Sequence, residues 1–194
     1  MPTGIHIRDA RKQLFDAAER ILVRDGPNAL TSRAVTTEAG CAKGVLHRHF
    51  ADFDDFLAEL VLDRIARLET QAGDLLAAAG TRTVADNLTD ALTSLFSSVA
   101  VAIISLITFR DELRARLRRD KPAGIPLLTE AAAMLVAYLT AERELGRIAA
   151  GADVDTLAPM LLGSGHLLFA DRTGVPPEAE AVHKVVTSAI AGVV

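Results

Sequence analysis

The sequence predicts an all-α fold, and three observations predict it. Alanine, leucine and arginine dominate the composition, and all are strong helix formers. Apolar residues recur at helical spacing in one segment after another. No segment alternates apolar and polar residues as a half-buried strand would, and neither an internal repeat nor a low-complexity run is present. About nine or ten helices are expected.

The first helix is expected from about Ile7 to Asp25, because Leu14, Phe15, Ala18, Ile21 and Leu22 form one apolar stripe. Gly26 and Pro27 then end it. Thr31 reads as an N-cap, with Leu30 before it and Val35 after it spaced as a hydrophobic staple. A short helix over about Ser32–Ala39 stops at Gly40, and a third short helix follows over about Ala42–His49, with Leu46 and Phe50 inward. Asp52 reads as the cap of a long helix from Phe53 to about Ala79, with Asp54 and Asp55 favourable at its positive end. Beyond it, helices are expected over Thr83–Ser98, over Val99–Asp120 as one or two pieces, over Pro126–Leu145 after a break at Lys121, Pro122 and Gly124, over Asp155–Asp171 and over Pro177–Ala191.

The chain has 194 residues, enough for one sizeable core, and half of them are hydrophobic, which excludes a disordered polymer. The single cysteine, Cys41, cannot form an internal disulfide, so the chain reads as cytosolic. No N-terminal signal peptide is evident, and the longest apolar run, about Val99–Ile107, is too short for a membrane span. The net charge of −4 hides an asymmetry. Residues 1–50 carry eight Lys/Arg against five Asp/Glu, and residues 51–194 carry 13 against 20. A pI near 5.7 argues against a wholly basic nucleic-acid binder but permits a small basic head on an acidic body.

Two short helices joined at Ala39, Gly40, Cys41 and Ala42 make a helix-turn-helix pattern, in which Gly40 supplies the turn. Such a pair places the start of its second helix in a DNA major groove, with flanking cations on phosphates. The stretch "TSRAVTTEAGCAKGVLHRHFADFDDFL", residues 31–57, resembles the DNA-binding head of the TetR family of transcriptional regulators. Thr31, Ala39, Gly40, Gly44, Leu46, Arg48, His49, Phe50 and Leu57 carry the resemblance. It implies a helix-turn-helix DNA-binding domain over residues 1–51 and a helical ligand-binding and dimerisation domain over residues 52–194.

On that resemblance the DNA contacts are Thr31, Ser32, Arg33, Lys43, Gly44, Val45, His47 and Arg48, although Arg48 reads equally as an ion-pair partner for the first or fourth helix. The departures are specific. Cys41 replaces an aliphatic residue, and Ala42 replaces a capping serine. His47 stands where tyrosine is usual, so its charge varies with pH. Phe53 stands where lysine is often found, which removes one expected phosphate contact. Thr36 replaces a small alanine and is expected to crowd the second and third helices.

The resemblance further implies a homodimer through the last two helices, reading two half-sites of a palindromic double-stranded operator. It also implies an unidentified apolar small-molecule effector, held by middle helices with Phe96, Ile103, Ile107, Phe109, Met134, Tyr138, Met160 and Ser164 as candidate walls. Each of these reads also as ordinary core. The effector would release a repressor from DNA by favouring a dimer with misspaced heads, and the helix from Phe53 is the natural lever. The competing reading is a helical small-molecule-binding protein with a degenerate head.

Metal chemistry is not expected. Cys41, His47 and His49 have no usual zinc spacing, and Cys41 and His49 read as structural, His49 half-buried against the first helix. "RDELRARLRRDK", residues 110–121, reads as a solvated helix whose charges suit its dipole, or less simply as an anion or nucleic-acid surface. His166 and His183 read as structural groups, and Gly163 and Gly165 as points of close helix approach, either at a dimer seam or beside a ligand. No P-loop, dinucleotide fingerprint, zincin or serine-hydrolase motif is present, so neither catalytic residues nor a cofactor are expected, and the chain does not read as an enzyme.

Overall fold

The structure is a computed structural model that describes residues 10–96, 99–120, 124–170 and 176–194. Ten α-helices are present among the described residues. α1 (Ala10–Asp25), α2 (Ser32–Glu38) and α3 (Gly44–His49) form the head. α4 (Phe53–Ala77) leads into α5 (Val84–Phe96), α6 (Ala100–Phe109), α7 (Asp111–Asp120), α8 (Leu128–Glu144), α9 (Val154–Ala170) and α10 (Ala179–Ile190). The expected positions Ile7, Ser98, Lys121, Pro122 and Asp171 lie outside the described residues.

Local signals set the helix boundaries. The Thr31 Oγ1 accepts the Ala34 N–H at 3.1 Å, and Leu30 and Val35 are both buried beside it. The Asp52 carboxylate accepts the Asp55 N–H at 2.7 Å and caps α4. A 3-10 turn at Pro27–Ala29 separates α1 from α2, after Gly26 takes a φ of 81°. The segment Val99–Asp120 splits in two because Arg110 is extended and ends α6.

One hydrophobic core runs from the α1 stripe through Leu46, Phe50 and Phe56 into α4 and on to Val186 and Ile190 of α10. An aromatic cluster joins head to body. Phe56 lies 5.1 Å from Phe50, edge-on, and 5.6 Å from both Phe15 and Phe53. In the body α4 packs on α7 and α8, while α5, α9 and α10 pack together. Gly165 lets α9 approach α5 closely: a Cβ there would lie 2.8 Å from Phe96 Cε2. At Gly163 a Cβ would meet nothing within 4 Å in this chain, so no neighbouring helix of the same chain requires glycine there. His183 bridges α10 to α5, its Nδ1 3.4 Å from Thr89 Oγ1, and the His166 ring lies 6.0 Å from that of Phe96. No single helix among the described residues is long and apolar enough to cross a membrane.

Candidate nucleic-acid interface

α2 ends at a tight turn that hydrogen bonds close: the Gly40 N–H donates to Thr37 O and the Cys41 N–H to Thr36 O, both at 3.0 Å. Gly40 has a φ of 64°, a region where a side chain would be strained, and a Cβ there would meet nothing within 4 Å. Backbone conformation therefore requires glycine here, not lack of space. Cys41 is half-buried against the core, and that burial raises its thiol above the usual range. Thr36 is buried, and its hydroxyl donates to Ser32 O at 3.0 Å within its own helix.

Of the expected contact residues, Thr31, Arg33, Lys43, Gly44, His47 and Arg48 are exposed, and Val45 is half-buried against the core. Ser32 is half-buried, and its hydroxyl oxygen is buried with no hydrogen-bond partner among the described residues. His49 departs from the expectation. It is exposed, with its ring 6.4 Å from that of Phe50, because Leu46 and Phe50 fill the inward face of α3.

The ion pairing of the head divides its cations. Every described cation of α1 is paired: Arg11 with Glu59 at 2.8 Å, Lys12 with Asp16 at 2.7 Å, and Arg20 and Arg24 with Glu38 at 2.8 and 3.1 Å. The hydrogen bonds from Arg20 and Arg24 hold the Glu38 carboxyl below its usual range. Glu38 is thus occupied by α1, although it shares α2 with Arg33. Arg33, Lys43 and Arg48 have no ion pair among the described residues. Arg48 is therefore not paired to a described acid of α1 or α4. Around the turn and α3, three cations are thus without an ion pair among the described residues, whereas Arg11 and Glu19 of α1 pair with Glu59, Arg64 and Arg67 of α4.

Comparison with known proteins agrees with this geometry. Residues 14–60 match the family model described as "Bacterial regulatory proteins, tetR family". No curated protein matches the chain. Among solved structures, the fatty acid degradation regulator FadR from Bacillus halodurans superposes with a TM-score of 0.70 at 18% identity, over 99% of this chain and 98% of that one. FadR from Bacillus subtilis, in complex with stearoyl-CoA, gives 0.68 at 19% identity, over 93% and 98%. A TetR-family member from Streptomyces coelicolor A3 gives 0.64 at 21%, over 94% and 98%. This chain has the TetR-family regulator fold.

In this TetR-type body the expected pocket walls scatter. Phe96, Ile103, Ile107, Met134 and Tyr138 are buried core residues. Phe109 is 87% exposed at the end of α6, and Met160 is 55% exposed on α9, so neither faces an enclosed space. Ser164 is half-buried. Of this set only Met134 lines the cleft of about 300 Å³ that opens between α4, α5 and α8. Leu75, Ala78, Ala91 and Met134 give it an apolar floor, and Gln71, Asp74, Arg82, Asp90 and Ser94 give it a polar rim. Asn87 closes its inner end and leads to a buried network. Its Nδ2 donates to Tyr138 Oη at 3.1 Å, and Tyr138 Oη donates to Glu142 Oε1 at 2.6 Å. Among the described residues, no group of three or more His, Cys, Asp or Glu is arranged to hold a metal ion.

Sequence reasoning missed the partners of α7. Arg110 and Arg116 do not point to solvent but reach the acids of the first turn of α4: Arg110 Nε donates to Asp54 Oδ1 at 2.8 Å, and Arg116 holds Asp52 with both terminal nitrogens. The solvated-helix reading holds for Arg118 and Arg119, which are exposed. The only signal of this pairing was the run of acids at 52–55, already explained as a helix start.

Proposed function

We propose that this chain is a transcriptional repressor that binds a palindromic operator as a homodimer and is released by a small-molecule effector. The observation that carries the DNA-binding reading is the set of exposed cations Arg33, Lys43 and Arg48 around the helix-turn-helix, none of which has an ion pair among the described residues. Cations already paired within the protein gain little from a phosphate, whereas unpaired ones release counterions on binding. Dimerisation through α9 and α10 is supported by the exposed line Met160, Gly163 and Leu167 on α9, where Leu167 is 76% exposed. The effector reading is supported by the cleft between α4, α5 and α8. Its volume, about 300 Å³, lies at the lower end of the range for small-ligand sites.

Selection of random duplexes by the purified protein, followed by a salt titration on the winner, tests the proposal. A palindrome is expected, with affinity falling as salt rises. Lys43→Ala is expected to weaken binding and lower the salt slope by about one. A folded protein that enriches no sequence at low salt would refute it. That outcome would favour the alternative, a small-molecule-binding protein with a degenerate head. The placement of Phe53 supports this second reading: it stacks on Phe56 at 5.6 Å and offers no cation where the family pattern often has lysine.

A further inference from the structure

The first turn of α4 belongs to two bodies at once. On one side it is fixed to the head. Phe56 sits against Phe15 of α1 and Phe50 after α3, and the Ala51 N–H donates to Asp55 Oδ2 at 2.9 Å. On the other side it is fixed to α6 and α7. Arg116 Nη1 and Nη2 donate to the two oxygens of Asp52 at 3.0 and 2.9 Å, and Nη1 also lies 3.2 Å from Asp55 Oδ1. Arg110 donates to Asp54, and its guanidinium lies over the Phe53 ring, 5.4 Å from the centroid.

Two anchors on one helical turn restrain rotation as well as translation, which a single ion pair cannot do. A forked guanidinium on both carboxylate oxygens also fixes orientation, since a single-point contact swivels. Elsewhere the head meets the body through apolar contacts, which have no directional preference, and through single-point ion pairs from α1 to α4, Arg11 with Glu59 at 2.8 Å and Glu19 with Arg64 and Arg67 at 3.6 Å. We propose that Arg110 and Arg116 are positioning residues: they hold the head at one angle to the body and so set the separation of the two recognition helices in a dimer. This rests on the proposed operator-binding dimer. Each base pair added between half-sites moves one of them along and around the DNA axis, so a fixed head reads few spacings and a loosened head reads several.

The test compares the full-length protein with the double variant Arg110→Gln/Arg116→Gln by two measurements. The first is the distance distribution between spin labels at Val23→Cys on α1 and Ala137→Cys on α8, in a Cys41→Ser background, with labelled chains diluted into unlabelled ones. One narrow population is expected to become broad in the variant. The second is affinity for the selected operator with its spacer lengthened or shortened by one base pair. Wild type is expected to lose about tenfold or more, and the variant less than about threefold. Arg116→Lys, which keeps the charge but loses the fork, is expected to fall between them. An unchanged distance distribution overturns the proposal, and so does a broadened one with the wild-type spacing profile. If wild type binds no duplex, the operator reading fails, and the distance measurement alone decides whether the two arginines hold the head.

Discussion

Tyr138→Phe isolates the polar network buried between α4, α5 and α8. The ring is fully buried and phenylalanine keeps its shape, so the perturbation is the loss of one hydroxyl. That hydroxyl donates to Glu142 Oε1 at 2.6 Å, within the range of a charge-assisted O–H···O⁻ bond, and accepts from Asn87 at 3.1 Å. Burial and the neighbouring Glu142 carboxylate push the phenol pKa up, so the donor stays protonated throughout the neutral range.

Glu142 is itself completely buried. Without Tyr138 Oη, its Oε1 keeps only the Gly80 N–H at 3.3 Å, while Oε2 faces Arg147 Nε at 3.3 Å. Asn87 retains its bond to Ala78 O at 3.1 Å and so is not left without an acceptor. The loss is therefore one hydrogen bond to a charged group plus partial exposure of that group's desolvation cost, about 2–3 kcal/mol. For a chain of this size that lowers the melting temperature by roughly 5–10 °C. Urea unfolding at fixed protomer concentration should show a lower midpoint at an unchanged slope. In a double-mutant cycle with Glu142→Gln the coupling should reach about 1 kcal/mol or more. A loss below about 0.5 kcal/mol would refute the reasoning, because the hydroxyl would then not be satisfying the carboxylate.

Other predictions concern the α5–α9 contact and the start of α9. Gly165→Ala gains about 1 kcal/mol of helix propensity but sets a methyl 2.8 Å from the Phe96 ring. That ring is pinned by Phe169 at 5.8 Å, so an overpacking cost of about 1–3 kcal/mol wins and the variant should be net destabilised in urea; net stabilisation would show that α9 and α5 are not that close. Asp153→Ala removes the carboxylate that accepts the Thr156 N–H at 3.1 Å and its hydroxyl at 2.7 Å. Those bonds hold the Asp153 carboxyl below its usual range, so its stabilisation is complete above the unfolded value of about 3.9 and is lost as pH falls through the lower folded value. Denaturation series across pH should therefore show the wild-type advantage at pH 7 shrinking below about pH 4, and an advantage that does not depend on pH would contradict the assignment.

Much of this molecule is legible along the chain because its cues are local. The Thr31 and Asp52 caps each act over three residues, the Leu30–Val35 staple spans five, and the α1 stripe needs only the helical period. The head motif was readable for the same reason, since its turn closes on itself between Thr36 and Cys41. Side-chain direction was less accessible. His49 and Phe109 each carry a ring that local patterning places inside, yet both are exposed, because the inward positions beside them are taken by Leu46 and Phe50 in one case and by Ile103 and Ile107 in the other.

By itself, then, the sequence determined the helices, their caps, the helix-turn-helix and the apolar faces. Each depends on residues within a turn or two of one another. Tertiary structure alone decided which charges cancel and which stay free. Arg110 finds Asp54 across 56 positions and Arg116 finds Asp52 across 64, while Arg33, a few residues from Glu38, loses that acid to Arg20 and Arg24 of α1. Proximity in space sets an ion pair, and spacing along the chain carries no record of it once the partners lie on different helices.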